Sequence, residues 1–222
     1  MKTTLHQLLP ALSLLFSLSF LPFIAFSVRQ FPLPPVVSVE GKEVKLGESY
    51  YISFTLFPPL GVCLVDNEKC PKDIIQCPSY YDDPRGLPVT FSSVVNSTED
   101  TVVRENTPYH IEFSGAVGSG NCSNETSFWY LKDDGIAGKN FVAIGAKTLA
   151  TEFTIQKAVL GYKITGCILP PFPLCYGVGI VSEFGFNRLG IGSDVLPVEF
   201  FLGKAATTNS TTVAIGNLLD SL

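Results

Sequence analysis

The chain has 222 residues, of which 46% are hydrophobic and 16% charged, and its formal net charge is −5. This length fits one domain of ordinary size with short extensions, and so apolar a chain can bury a substantial core, which argues against wholesale disorder. The acidic balance and the absence of a basic run argue against nucleic acid or an anionic membrane surface as partners.

The first predicted element is a secretory leader that is not part of the fold. Residues 8–26 are almost wholly apolar, and small residues precede a cleavage point after Ser27. A membrane anchor is the alternative, but Pro10 and Pro22 interrupt the run and no basic stop-transfer cluster follows. We therefore predict that residues 1–27 are a signal peptide and that the mature chain does not contact a membrane.

Short apolar or alternating runs then recur through the chain, with Gly, Pro, Asn or Asp clusters between them. This pattern is typical of a β-sandwich or a barrel-like fold, and no run before the tail carries a helical stripe. The predicted strands are 49–56, 74–76, 87–91, 109–113, 128–131, 141–144, 152–156, 162–165, 178–181 and 196–201.

Two pairs of these runs resemble each other. LPVTF at 87–91 returns as LPVEF at 196–200, and YHIEF at 109–113 resembles YYISF at 50–54. Such similarities favour repeats of four strands around a pseudo-threefold axis.

Six cysteines follow the leader, and an even number on a secretory route predicts disulfide bonds. Spacing alone does not choose among the possible pairings. A metal site is the rival interpretation, but His110 is the one histidine beyond the leader and no CxxC pair exists, so we predict no metal and no cofactor. The cysteines are Cys63, Cys70, Cys77, Cys122, Cys167 and Cys175.

The chain also contains four N-glycosylation sequons, which mark surface loops where they are occupied. The sequon at Asn121 is the weakest, because its middle residue is a cysteine. The predicted glycosylation sites are Asn96, Asn121, Asn124 and Asn209.

The segment 36–44 (VVSVEGKEV), followed after five residues by Tyr50-Tyr51-Ile52, resembles the N-terminal signature of the plant Kunitz soybean-trypsin-inhibitor family. Ser38 stands where that family usually has Asp. The resemblance continues to Lys204 through short motifs in the family's order. These motifs are 68–71 (EKCP), 75–76 (IQ), 86–89 (GLPV), 105–108 (ENTP), 126–129 (TSFW), 153–155 (FTI), 162–164 (YKI), 178–180 (VGI), 188–189 (RL) and 196–200 (LPVEF).

The resemblance implies an all-β fold, a β-trefoil in which a six-stranded barrel is capped by three hairpins, over a domain of residues 28–204. By family position, Cys70 would pair with Cys122 and Cys167 with Cys175. Cys63 and Cys77 lie outside the common family set and flank the hairpin around Cys70, so we predict a third bridge between them.

The resemblance also implies that the chain inhibits an endopeptidase, acts as a monomer in plant defence, and is not an enzyme. By its place between the motifs, the inhibitory loop is 92–101. Its central residues are Val94, Val95, Asn96, Ser97, Thr98, Glu99 and Asp100.

This loop contains no Lys or Arg, whereas a trypsin-like pocket carries a buried acid and requires one of them. Alignment from the N-terminal side places Asn96 at the pocket position, and alignment from the C-terminal side places Glu99 there. A glycan on Asn96 would obstruct a narrow cleft, and Leu46 replaces an Asn that supports the loop in the family. Arg104 is the nearest basic residue, but it leads into the next strand.

We therefore predict a serine protease inhibitor whose target is not trypsin. The alternative is a β-trefoil directed at a cysteine protease, or one that has lost inhibition and binds a carbohydrate, a pigment or another protein. Enzyme chemistry finds no support, because His110 lies in an alternating strand pattern without a partner triad. The pairs Asp82-Asp83 and Asp133-Asp134 adjoin turn residues and are predicted to be solvated, and Trp129 is predicted to lie in the core.

The tail, residues 205–222, turns from small and polar to apolar at Val213. It resembles C-terminal vacuolar-sorting extensions, and a frayed terminus is the alternative. The predicted destination is therefore the extracellular space or the vacuole.

Overall fold

The computed structural model describes residues 32–55, 58–65, 71–94, 100–114, 127–133, 139–168, 174–183 and 185–205. Two units are distinguished, Met1–Pro32 and Leu33–Leu222, and every element below belongs to the second. The predicted leader, most of the tail and several predicted sites lie outside the described residues and stay predictions. Those sites are Cys70, Cys122, Asn96, Asn121, Asn124 and Asn209.

The regular secondary structure of the described residues consists almost entirely of short β-strands. One 3-10 turn, Lys147–Leu149, lies between the seventh and eighth strands. The strands are β1 (Tyr50–Phe54), β2 (Val62–Leu64), β3 (Ile74–Gln76), β4 (Val89–Ser93), β5 (Pro108–Phe113), β6 (Phe128–Lys132), β7 (Lys139–Gly145), β8 (Phe153–Lys157), β9 (Tyr162–Ile168), β10 (Leu174–Gly177), β11 (Gly179–Glu183), β12 (Phe186–Gly192) and β13 (Phe200–Lys204).

Six of the strands close into a barrel. β1 pairs with β4, β4 with β5, β5 with β8, β8 with β9 and β9 with β13, all antiparallel. The ring closes because β13 pairs along its whole length with β1, from Tyr50 opposite Lys204 to Phe54 opposite Phe200. Closure leaves no free barrel edge.

Three hairpins stand on this barrel, namely β2–β3, β6–β7 and β11–β12. β12 also pairs with β3 and with β7, so the hairpins join into a cap. The architecture is a β-trefoil, and the predicted fold class is confirmed.

Apolar and polar residues alternate along the barrel strands, which explains why one set of side chains faces the core. In β5, Tyr109, Ile111 and Phe113 are buried while the residues between them are not. Burying one such side chain contributes about 1.5–3 kcal/mol, so a one-residue slip of register would be costly. Trp129 is fully buried between the rings of Phe113 and Phe153, as predicted.

Each of the three four-strand repeats has a buried tyrosine at its start. The hydroxyl oxygen of Tyr50 accepts a hydrogen bond from the backbone N–H of Lys45, and that of Tyr109 accepts one from Arg104. The hydroxyl oxygen of Tyr162 accepts a hydrogen bond from the backbone N–H of Val37. The resemblance between 50–54 and 109–113 therefore relates first strands of two repeats, and the third tyrosine completes the set.

The sequence-based prediction missed three strands, β2, β10 and β12. β2 has only three residues, and β12 (FNRLGIG) mixes two glycines with Asn187 and Arg188, which lowers its strand propensity. The last predicted run, 196–201, forms a strand only from Phe200, because its second residue is Pro197, which cannot donate to a strand ladder.

Arg188 of β12 lies in a cluster of buried and half-buried charges, here named the ion cluster. Its guanidinium is 2.9 Å from Asp73 and 3.4 Å from Glu183. Lys132 is 2.5 Å from Asp73, and Lys139 is 3.8 Å from Glu183. The ion cluster joins β6, β7, β11 and β12 with the residue that precedes β3, so it connects the three hairpins of the cap.

Two disulfide bonds lie within the described residues. Cys63 on β2 is joined to Cys77 just after β3, and Cys167 on β9 is joined to Cys175 on β10. Both are pairings predicted above. The first is buried in a small cluster with Val65 and Ile75, whereas Cys175 is exposed.

Candidate functional site

The predicted inhibitory loop begins at the end of β4. Ser92 pairs with His110 and Ser93 with Tyr109, which fixes the N-terminal leg of the loop on the barrel. Val94 follows and is partly buried. Val95, Asn96, Ser97, Thr98 and Glu99 lie outside the described residues.

The C-terminal leg of the loop, residues 100–105, is held by the segment that precedes β1. The N–H of Leu46 donates to the carbonyl oxygen of Thr101 over 2.8 Å, and the N–H of Val103 donates to the carbonyl oxygen of Val44 over 2.8 Å. On the other side, Val36 donates to the carbonyl of Val103 over 2.8 Å. The leg therefore has bonded chain on both sides, which limits its freedom.

Arg104 ties the end of this leg together. Its backbone N–H donates to the hydroxyl of Tyr109 over 2.8 Å, and its guanidinium donates to the carboxylate of Asp100 and to the carbonyl of Leu33. The hydrogen bond from Arg104 lowers the pKa of Asp100, and the N–H of Val102 lowers it further. Because its guanidinium is bonded within the leg, Arg104 is not presented as a residue that would enter a protease pocket.

Leu46 lies at the position where the family resemblance suggested a supporting Asn. Its side chain is partly buried against the main core, and an aliphatic chain offers no hydrogen bond to the loop. The support that Leu46 gives the loop is therefore confined to its backbone N–H.

Ser92 and His110 are cross-strand neighbours, but no hydrogen bond joins their side chains in the described structure. Ser92 Oγ and His110 Nδ1 are both buried and have no hydrogen-bond partner within the part of the chain that the structure describes. The imidazole instead packs edge-on against Phe128, with ring centroids 6.3 Å apart. This geometry matches the structural role predicted for His110.

The described residues offer no metal-binding group of three or more His, Cys, Asp or Glu side chains. Over the same ranges, no helix has the length and apolar character needed to cross a bilayer. Asp83, one of the paired acids singled out above, is exposed and bonded to Arg85 two residues further on, which suits a turn residue.

Comparisons with known proteins identify relatives of this chain in sequence and in fold. Residues 36–201 match the legume Kunitz family, described as trypsin and protease inhibitors. A latex serine proteinase inhibitor from Carica papaya is 27% identical over 184 residues, which cover 75% of this chain and 95% of that protein. Sporamin B from Ipomoea batatas is 30% identical over 156 residues, which cover 65% of this chain and 69% of its own.

Solved structures of Kunitz-type inhibitors share the fold of this chain. A Kunitz-type trypsin inhibitor from Cicer arietinum superposes with a TM-score of 0.62 at 26% identity, covering 78% of this chain and 100% of that one. Soybean trypsin inhibitor superposes with a TM-score of 0.63 at 23% identity, covering 77% and 99%, a likeness of fold alone. The family match spans most of the chain, and the chain belongs to the legume Kunitz family of trypsin and protease inhibitors.

Proposed function

We propose that this chain inhibits an endopeptidase through the loop 92–101 and that its target is not a trypsin-like enzyme. The observation that carries the proposal is the composition of this loop, which contains two acids, Glu99 and Asp100, and no Lys or Arg. Its proposed place of action is the secretory route, outside the cell or in the vacuole, because the sequence begins with a predicted leader.

The support of the two loop legs favours inhibition over a passive surface loop. A loop whose ends are already fixed loses less conformational entropy when it enters a protease cleft, and this loss is a main cost of binding. Here β5 holds the first leg, while Val36, Val44, Leu46 and Tyr109 hold the second.

The same loop disfavours trypsin on electrostatic grounds. The specificity pocket of trypsin contains a buried aspartate, which selects Lys or Arg. An Asn at position 96 would leave that acid without a counter-charge, and a Glu at position 99 would repel it. Serine proteases with apolar or small pockets lack this acid, so the repulsion is absent there, and the remaining cost is desolvation of the side chain, which is smaller for the neutral Asn96 than for Glu99.

The direct test is an inhibition panel of trypsin, chymotrypsin, subtilisin and papain, run on the secreted chain before and after removal of its N-glycans. We expect inhibition of chymotrypsin or subtilisin and little of trypsin. Inhibition of papain alone would move the target to the cysteine class. Tight trypsin inhibition would contradict the proposal that the loop does not fit a trypsin pocket. Failure to inhibit any of the four enzymes would contradict the proposed function.

A pair of variants identifies the residue that enters the pocket. Asn96→Lys supplies the missing charge and removes the sequon, while Asn96→Gln removes the sequon alone and serves as the control. We expect Asn96→Lys to inhibit trypsin about 100-fold more tightly than Asn96→Gln, because a buried charge pair is formed. If Glu99→Lys gains inhibition instead, position 99 is the contact residue. No gain in either variant would exclude positions 96 and 99 as the residue that enters the pocket.

A further inference from the structure

A concave site lies on the cap, between the β2–β3 and β11–β12 hairpins. It has a volume of about 280 Å³, and its lining includes Gln76, Pro78, Tyr80, Phe186 and Asn187. The described residues that line it all lie outside the loop 92–101. We call it the cap cleft.

The cap cleft presents aromatic rings to solvent. Tyr80 is 79% exposed and Phe186 is 38% exposed. The ring of Tyr80 packs edge-on against the ring of Tyr81, with a centroid distance of 5.5 Å. Tyr81 in turn packs on the buried cluster around Cys77, so the ring of Tyr80 is supported on one side. An exposed aromatic ring that is held in place from behind can stack on a ligand with little loss of entropy.

Two amide side chains lie beside these rings and are oriented by a short chain of hydrogen bonds. Ser182 Oγ donates to Asn187 Oδ1 over 2.7 Å, and Asn187 Nδ2 donates to Gln76 Oε1 over 2.9 Å. These bonds leave both N–H groups of Gln76 and one of Asn187 available as donors, and carbonyl lone pairs as acceptors.

Among the residues that the structure describes, the lining of the cap cleft contains no charged side chain. A phosphate, a nucleic acid or a carboxylate ligand would need a basic partner there, so the occupant is neutral. It must also combine an apolar face, which the rings would cover, with several groups that both donate and accept hydrogen bonds, which the amides would bind.

From these features we propose that the cap cleft binds a neutral carbohydrate, with one sugar ring stacked on Tyr80 and Phe186 and its hydroxyls bonded to Gln76 and Asn187. A pyranose has these two faces. A proline-rich peptide could also use the rings, but it has few side groups to match two paired amides.

The test uses the full secreted chain, labelled with ¹⁵N and titrated with cellotetraose and with chitotetraose. We expect amide shift changes confined to the residues that line the cap cleft, with at least one of the two sugars. Tyr80→Ala should weaken this binding about tenfold because it removes one stacking ring. Val159→Ala, a change of another highly exposed apolar side chain, which does not line the cap cleft, should leave binding unchanged.

Several results would overturn the proposal. They are the absence of shift changes with both sugars, equal weakening by Val159→Ala, or equally tight binding of the acidic tetragalacturonate. A proline-rich decapeptide that shifts the same residues when neither sugar does would assign the cap cleft to a protein partner. Thermal unfolding of Tyr80→Ala checks that the variant is folded.

Discussion

Replacing Arg188 by Met tests whether the ion cluster stabilises the cap. The side chain of Arg188 is 8% exposed, and its guanidinium contacts two carboxylates. It also lies 3.6 Å from the centre of the Phe141 ring. Met retains an unbranched apolar stem over that ring, so the change removes the charge while it preserves much of the packing.

The expected cost follows from the carboxylates that remain. Breaking a buried ion pair by removing one partner costs about 3–5 kcal/mol, because the other charge stays buried without compensation. Here Asp73 keeps Lys132 and Glu183 keeps Lys139, and both acids are slightly exposed, which lowers the cost. We therefore expect about 3 kcal/mol, equivalent to a fall in Tm of roughly 6–12 °C for a domain of this size.

The matched control is Arg85→Met. Arg85 forms the same kind of pair with Asp83 at 2.8 Å, but both side chains are well exposed, so its loss should leave Tm unchanged within error. Thermal denaturation followed by circular dichroism at pH 7, with the disulfides intact, measures both variants. Equal Tm values for the two variants would refute the argument that burial gives the ion cluster its effect.

Two further predictions concern the loop leg and the disulfides. Arg104 lowers the folded-state pKa of Asp100, so the stabilisation from this pair is complete above the ordinary Asp pKa and is lost as the pH falls through the lowered value. In urea unfolding, Asp100→Asn should therefore be less stable than the parent by under about 1 kcal/mol at neutral pH, because the pair is partly exposed. The difference should shrink as the pH falls below the ordinary Asp pKa, and a difference that does not depend on pH would contradict this. The double change Cys63→Ala with Cys77→Ala should lower the free energy of unfolding by about 3 kcal/mol, since it opens the longer and buried bridge. The double change Cys167→Ala with Cys175→Ala should lower it by less. The reverse order would show that burial does not decide how much a bridge stabilises the fold.

Most of the fold was readable from local patterns. Strands such as β1, β5 and β9 follow from alternation of apolar residues, because side chains point to opposite faces with a period of two. The repeat resemblance at 109–113 also identified equivalent strands correctly. The missed strands are those in which glycine or charge replaces this pattern, above all β12.

The candidate site was predictable in position but not in its supports. The loop 92–101 was located by order between motifs, and its lack of Lys or Arg is a property of the sequence alone. That Arg104 turns back to Asp100 and Leu33 could not be read there, because Leu33 lies 71 positions away along the chain. The cap cleft was missed for the same reason, since Gln76 and Asn187 are 111 positions apart.

The sequence by itself thus determined the class of fold, the family and the composition of the loop, all of which depend on neighbouring residues and on motif order. Only the tertiary structure decided what holds the loop and the cap. The hydroxyl of Tyr162 meets the N–H of Val37 across 125 positions, and Arg188 finds Asp73 on another hairpin. Barrel closure brings the first pair together and the joining of the cap hairpins brings the second, and no local pattern encodes a partner that distant.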